Sequence, residues 1–234
     1  MNLATASPAP DRAERLADLL DLTSPATRTR RAQADTLPVL EPLRPLLPGG
    51  LAKGTITEIP DMSLLLATAA GPATADRYAW TSIVGLGDLG LAAAADYGID
   101  LRRLVVVDEP GPHLPEVLAA LAPATPVIIA GSPDRLPPRA MDRLAAHLRR
   151  AGTILVTPGP WPGAQLRLEV TSGRWEGLGD GHGQLTRRQV EVRVTGRGPA
   201  AQPRTVQLWL PDDGGGVTTV MDEAVEPDTI AALA

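Results

Sequence analysis

Between Thr55 and Thr157 the sequence repeats one theme: a short, continuously apolar run, then a stretch with helical spacing. The apolar runs are Thr55–Ile59, Trp80–Val84, Leu104–Val107, Val127–Ala130 and Thr153–Thr157. The helical stretches between them are Met62–Ala70, Leu89–Tyr97, Leu114–Leu121 and Pro138–Arg150. A strand that is apolar on both sides needs cover on both faces, which is the condition of a parallel sheet sandwiched between helices. Gly98 and Gly152 fall where helix C-caps belong. After Trp161 the period changes to two. Leu166, Leu168 and Val170 alternate with Arg167 and Glu169; Val190, Val192 and Val194 alternate with Glu191 and Arg193; Val206, Leu208 and Leu210 alternate with Gln207 and Trp209. Such alternation marks half-buried antiparallel strands. The expected fold class is α/β: a mostly parallel sheet flanked by helices, ending in antiparallel strands.

The flanks are of a different kind. Residues 1–10 are polar and proline-rich and are expected to be disordered. Asp11 to Leu22 has helical spacing at Leu16, Leu19 and Leu20 with an acidic start. Pro38, Pro42, Pro45 and Pro48 then restrict regular structure to short helical turns. The net charge of −5 is uneven: six of the 27 acidic residues lie in 212–234, which has no basic residue, so the rest of the chain is near +1. Three regions follow: a 1–36 extension with one helix, a 37–211 domain, and a 212–234 acidic tail expected to be flexible. With no cysteine, disulfides and thiolate metal sites are excluded. No basic, apolar leader is visible and no apolar stretch reaches the ~20 residues of a membrane span, so a cytoplasmic protein without membrane contact is expected.

The first strand-to-helix connection is the most telling one. Thr55–Ile59 leads through Pro60, Asp61, Met62 and Ser63 into an apolar helix. Strand, loop, helix is the frame of a phosphate-binding P-loop. That loop needs glycines, so that backbone N–H groups can wrap phosphate oxygens, and a Lys-Ser/Thr pair for the terminal phosphates and magnesium. This connection has neither glycine nor lysine, and its aspartate would repel phosphate.

The surrounding residues resemble a family. "GGLAKGTITEI" (Gly49 to Ile59) is similar to the segment that enters the P-loop in RecA-type recombinases. "YGIDLRRLVVV" (Tyr97 to Val107) resembles the Gly-Val-Asp-hydrophobic segment that follows RecA's second core strand. The resemblance implies a RecA-like core over roughly Gly49 to Pro211, and carrying RecA's parts across finds each replaced. The water-activating glutamate falls on Leu86, and the Walker B aspartate falls on Gly131. Asp88 and Asp134 are the nearby acids that a one-residue slip would offer. The long DNA-binding inserts have short counterparts, at Ser132 to Pro138 and Thr157 to Leu166.

Other motifs carry weaker signals. "GLGDGHG" (Gly177 to Gly183) resembles a phosphate loop but leads into a strand instead of a helix. His182 with Asp180 would make an acid/base or metal pair, or a plain turn. Ser132 lacks the frame of a nucleophile elbow. Arg139, Arg143, His147 and Arg150 form a basic stripe along one helix, either a solvated face or a phosphate contact. Residues 160–210 hold seven arginines against four acids. There Trp209 sits on the polar phase of its strand, as do Arg167 and Arg193. Exposed tryptophan beside arginine marks an interface, unless the chain's own N-terminal segment covers it. The candidate partner surface is Arg174, Trp175, Arg193 and Trp209, with the loop Arg174 to Gly183; the alternative for Trp175 is a plug at the edge of the core.

"SGRWEGLGDGHGQLTRRQVEVRVTGRGPAAQPRTVQLWLP" (Ser172 to Pro211), together with "LPGGLAKGTITEI", resembles the actinobacterial form of the ImuA family. That family is the RecA-like accessory component of the DNA-damage-inducible mutasome. The resemblance covers about Leu37 to Pro211. It implies work beside an ImuB-like Y-family polymerase homologue and an error-prone replicative-type polymerase, with RecA as a further partner, in translesion synthesis, mutagenesis and the SOS response. The expected protein is a non-catalytic adaptor with no cofactor, no metal and no catalytic residue. It contacts DNA weakly or indirectly and associates with the nucleoid on DNA damage. The alternative is a RecA-like ATPase, or a modulator of RecA filaments acting on DNA.

Overall fold

The computed structural model describes residues 35–133, 137–178, 183–197 and 201–220. The expected Asp11–Leu22 helix lies outside them, as do Asp134, Asp180, His182 and residues 221–234. Two short strands, β1 (Thr36–Leu37) and β2 (Leu51–Ala52), pair with each other. Between them the proline-rich segment makes a single 3-10 turn at Glu41–Leu43, as the prolines dictate. The rest forms one sheet, from β3 (Ile56–Glu58), β4 (Thr81–Val84), β5 (Leu104–Val107), β6 (Val127–Ala130), β7 (Ile154–Thr157), β8 (Leu166–Leu178), β9 (Gly183–Gly196), β10 (Arg204–Trp209) and β11 (Thr218–Thr219). Its order is β11-β10-β9-β8-β3-β7-β6-β4-β5. Strands β5, β4, β6, β7, β3 and β8 are parallel, and β8 through β11 are antiparallel.

The α-helices among the described residues are α1 (Met62–Ala75), α2 (Leu91–Asp96), α3 (Leu114–Leu121) and α4 (Pro138–Ala151). The pleat sends alternate side chains to opposite faces. On one face Ile83, Val127, Ile129, Ile154 and Val156 pack with α1, Ala94 and Tyr97, and with Val39, Leu43, Leu46 and Leu51 from the proline-rich segment. On the other, Val84, Ile128, Ala130 and Leu155 pack with Leu114 and Leu118 of α3 and Met141, Leu144 and Leu148 of α4. Gly152 ends α4 at φ +74°, a left-handed cap.

Helix α1 is buried all round from Leu64 to Pro72, as expected of a helix apolar on every side. It runs five residues past Ala70, where its glycine and proline suggest a stop. Tertiary packing decides this. A Cβ at Gly71 would lie 2.5 Å from the Pro38 carbonyl oxygen and 2.6 Å from Val39 Cα, so the glycine lets the proline-rich segment cross the helix at close range.

The antiparallel end is longer than the alternation suggests. Arg174 to Leu178 belongs to β8 and not to a loop, so the β8–β9 hairpin extends as an arm. The sheet also continues past Pro211. Asp212 accepts from the N–H groups of Gly214 and Gly216, both at 2.9 Å, and the chain then pairs as β11 with β10. The start of the acidic segment is thus part of the sheet's edge. Leu168, Val190, Val192, Val194 and Leu208 turn to the α1 side, while α3 and α4 cover only the parallel strands. Among the described residues no helix covers the far face of β8–β10.

Candidate functional site

The carboxyl ends of the parallel strands are where an α/β sheet holds a ligand. Here β3 passes through Ile59 and Pro60 to Asp61, the N-cap of α1. Asp61 Oδ1 accepts the Leu64 N–H at 3.0 Å. Its Oδ2 accepts from Arg188 of β9 at 2.7 Å, and both side chains are about one-fifth exposed, at 17% and 21%. A helix N-terminus attracts an anion through its free N–H groups and its dipole. In this chain that anion is the chain's own carboxylate, and an arginine from the antiparallel strands neutralises it. Ser63, in the first turn, hydrogen-bonds the Tyr97 hydroxyl. Burial pushes the Tyr97 pKa up, against the Ser63 hydrogen bond, and the carboxylates of Asp61, Asp212 and Asp96 add to the rise.

The neighbouring strand ends close on each other. Gly131 follows β6 and donates to the Val84 carbonyl at 2.9 Å. A Cβ built on Gly131 would overlap the Gly85 carbonyl oxygen. An aspartate therefore has no room at 131 while β4 and β6 keep this pairing. Leu86 sits beside Gly131 and packs against the α1-side core. Ser132 Oγ lies 3.3 Å from Thr157 Oγ1, and a Cβ at Gly159 would overlap that serine. A cavity of about 490 Å³ remains between Gly85, Asp108, Glu109, Gly111, Gly131 and Ser132, with exposed carboxylates at its rim. Asp88 is exposed.

The connection from β7 to β8 is pinned down. Trp161 is buried among Ile56, Leu155 and the α4 residues. Its backbone N–H donates to Glu58 Oε1 at 2.8 Å. Glu58 Oε2 accepts from Arg167 at 2.9 Å, and Arg167 also pairs with Glu169. These two carboxylates, Glu169 first, raise the pKa of the Arg167 guanidinium.

The proposed partner quartet divides between two faces of the hairpin. Arg193 and Trp209 are on the open face by alternation with Val192, Val194 and Leu208. A register shift between Val170 and Ser172 inserts one residue into β8, and such a bulge reverses the facing beyond it. Arg174 then pairs with Gln189 on the open face, whereas Trp175 pairs with Arg188 on the α1 side. Trp175 is 46% exposed, its ring centroid 5.9 Å from the Arg188 guanidinium, so it is not a core plug. Trp209 is half-buried. Arg187 lies over its ring at 3.9 Å and is held by Glu176 at 2.9 Å and Asp213 at 3.2 Å. Among the described residues its cover is this guanidinium of the neighbouring strand; the N-terminal segment, the alternative cover, lies outside them. Arg193 pairs with Thr205, four residues along β9 from the Gln189–Trp209 pair, or about 13 Å. Leu178 and Leu185 on the hairpin arm are 66% and 44% exposed.

Arg139, Arg143 and Arg150 lie on α4, mostly exposed, and form no ion pair among the described residues; His147 is half-buried. That helix packs over β3, β6 and β7, so the structure does not bring its arginines into the quartet. No group of three or more His, Cys, Asp or Glu side chains with metal-binding geometry occurs among the described residues. No helix there is long and apolar enough to cross a membrane. Sequence reasoning missed the Asp61–Arg188 and Glu58–Arg167 pairs. An aspartate directly before an apolar helix is an N-cap signal, but nothing in the linear order points to its arginine partner 127 residues away.

Comparison with known proteins places this architecture. A crystal structure of the RadB recombinase superposes with a TM-score of 0.53 and 12% sequence identity, covering 77% of this chain and 97% of that one. The fold is RecA-like: a mostly parallel sheet with flanking helices and antiparallel strands at its C-terminal end. The uncharacterized protein Rv3395c of Mycobacterium tuberculosis is 35% identical over 166 residues, which is 67% of this chain and 79% of that protein. The MT3502 N-terminal domain model matches residues 45–163, from the proline-rich segment through the β7–β8 turn. On that match and that identity, the chain belongs to the MT3502 N-terminal domain family.

Proposed function

We propose that this chain is a non-catalytic, RecA-like adaptor of DNA-damage-induced translesion synthesis, of the ImuA kind, that binds a Y-family polymerase homologue. The observation that carries the non-catalytic part is the Asp61–Arg188 pair at the head of α1. A nucleotide phosphate would have to displace a carboxylate already capping the helix and already neutralised. The overlap at Gly131 supports the same reading for the metal contact. The resemblance of Leu37 to Pro211 to the ImuA family supports the mutasome role and nucleoid association. An error-prone replicative-type polymerase and RecA are further partners in this reading.

The partner surface is the open face of β8–β10 with the hairpin arm. It offers Arg174, Arg193 and the guanidinium-capped Trp209 on one side and Trp175, Leu178 and Leu185 along the arm. Rings and arginines are the side chains on which interfaces concentrate their energy. The test is binding of the purified chain to an ImuB-like polymerase homologue, read by calorimetry. Trp209→Ala combined with Arg193→Glu should weaken binding by more than about 1 kcal/mol while the melting temperature moves by only a few degrees. Undiminished binding by the double variant rules this surface out.

A further inference from the structure

At the amino end of the parallel strands, away from the Asp61 crevice, a second concave surface is built from two connections. The turn Asp76–Trp80 leads into β4, and the 3-10 turn Leu101–Arg103 leads into β5. Together they line a cavity of about 510 Å³ with Arg77, Tyr78, Trp80, Asp100, Arg102 and Arg103. Three guanidinium groups face one carboxylate there. Asp100 accepts two hydrogen bonds from the Arg102 side chain, at 3.0 and 3.1 Å, which neutralise it. Arg77 and Arg103 form no ion pair among the described residues. They are held instead by a ring: their guanidinium carbons lie 4.7 and 5.3 Å from the Tyr78 centroid, and Arg77 also donates to the Tyr78 hydroxyl. The Tyr78 N–H in turn bonds Asp76 at 2.9 Å, which fixes the turn.

A carboxylate partner would cancel those charges; an aromatic ring orients them and leaves them available to an anion. Trp80, 40% exposed, lines the same cavity. A planar indole ring beside two guanidinium groups that form no ion pair among the described residues fits a unit that is both a flat ring and an anion. In a duplex the base faces are hidden; in a single strand they can stack on aromatic side chains while arginines follow the phosphates. We infer that this surface binds single-stranded nucleic acid, with a base stacked on Trp80 and phosphates on Arg77 and Arg103. The inference goes beyond the adaptor reading, needs no polymerase partner, and uses neither the α4 arginines nor the hairpin.

The test titrates the full chain with an oligothymidylate of roughly 12 nucleotides at low salt, reading tryptophan fluorescence and the anisotropy of labelled oligonucleotide. Binding should quench fluorescence and weaken steeply as salt is raised, because it releases counterions. Arg77→Ser with Arg103→Ser, both side chains outside the core, should lower affinity about tenfold or more at an unchanged melting temperature. Trp80→Ala should lose the quench as well as affinity. Arg139→Ser with Arg143→Ser on α4 should bind as the parent chain does. The proposal is overturned if the Arg77/Arg103 variant binds as before. It is equally overturned if the α4 variant alone loses binding, if duplex DNA binds as tightly as the single strand, or if polyglutamate competes as well as the oligonucleotide, which would assign the surface to acidic protein partners.

Discussion

Replacing Asp61 removes two interactions at once, and the choice of substitute separates them. Alanine loses the cap of α1, typically about 1 kcal/mol, and strands Arg188 in a place only 21% exposed. Together these should cost about 2 kcal/mol in urea denaturation, with the charge part discounted for its residual exposure. Asparagine is as good an N-cap as aspartate and loses only the ion pair, so Asp61→Asn should cost about half as much. Equal stability of all three proteins would mean that the pair holds nothing together. Tyr97 gives a prediction in pH. Its pKa is raised from 10.0 by burial and nearby carboxylates, so the folded chain keeps the phenolic proton after the unfolded chain has released it. The associated stability is fully present below the unfolded value and is lost as pH rises through the folded one. Melting temperature should therefore fall as pH rises past about 10, and Tyr97→Phe should fall less steeply. Parallel curves for the two proteins would contradict the burial of an ionisable group at that position.

Among the elements, Gly71 shows how packing overrides local preference. Alanine there gains up to about 1 kcal/mol of helix propensity. It also pushes a methyl group into the backbone of Pro38 and Val39, and overpacking costs about 1–3 kcal/mol. The second term is the larger one, since backbone cannot rotate away, so Gly71→Ala should lower stability by about 1 kcal/mol or more. A gain in the urea midpoint would show that the crossing segment yields. The strands of the parallel sheet were legible because they are apolar throughout, whether buried on both faces as Val127–Ala130 is or half-buried at the sheet's edge as Leu104–Val107 is; both have the bounds read from the sequence. The helix Leu114–Leu121 does as well. The hairpin arm was less legible. Beyond Val170 β8 contributes no residue to either core, so the alternation that signals a strand fades, and the glycines of Gly177 to Gly183 read as a loop. The bulge after Val170 is invisible to a count of apolar residues, which is why Trp175 and Arg174 could not be assigned to different faces in advance. The cluster of Tyr78, Trp80, Arg77 and Arg103 escaped for another reason: its two halves lie in separate connections that only the β4–β5 pairing brings together.

As a whole, the described part of the molecule is a RecA-like sheet whose nucleotide positions are blocked at its carboxyl end, and it has an open polar surface on its antiparallel face and another at its amino end. The block concerns all the strands that would serve a nucleotide. Asp61 fills the helix end, Gly131 leaves no space for an acid, and Leu86 packs against the core. The purified chain should therefore neither bind nor hydrolyse ATP; saturable micromolar binding by calorimetry with hydrolysis above blank would refute this and favour an ATPase with unfamiliar phosphate ligands. The contact between Gly131 and Gly85 has a consequence for the history open to such a chain. A sequence that has merely lost a catalytic side chain can regain it by one codon change. Here an acid at 131 fits only once two neighbouring strands have moved apart. Two coordinated changes are needed where one codon would otherwise do, so an acid at 131 is out of reach of single substitutions, as a bolted door does not yield to a push until the bolt is slid.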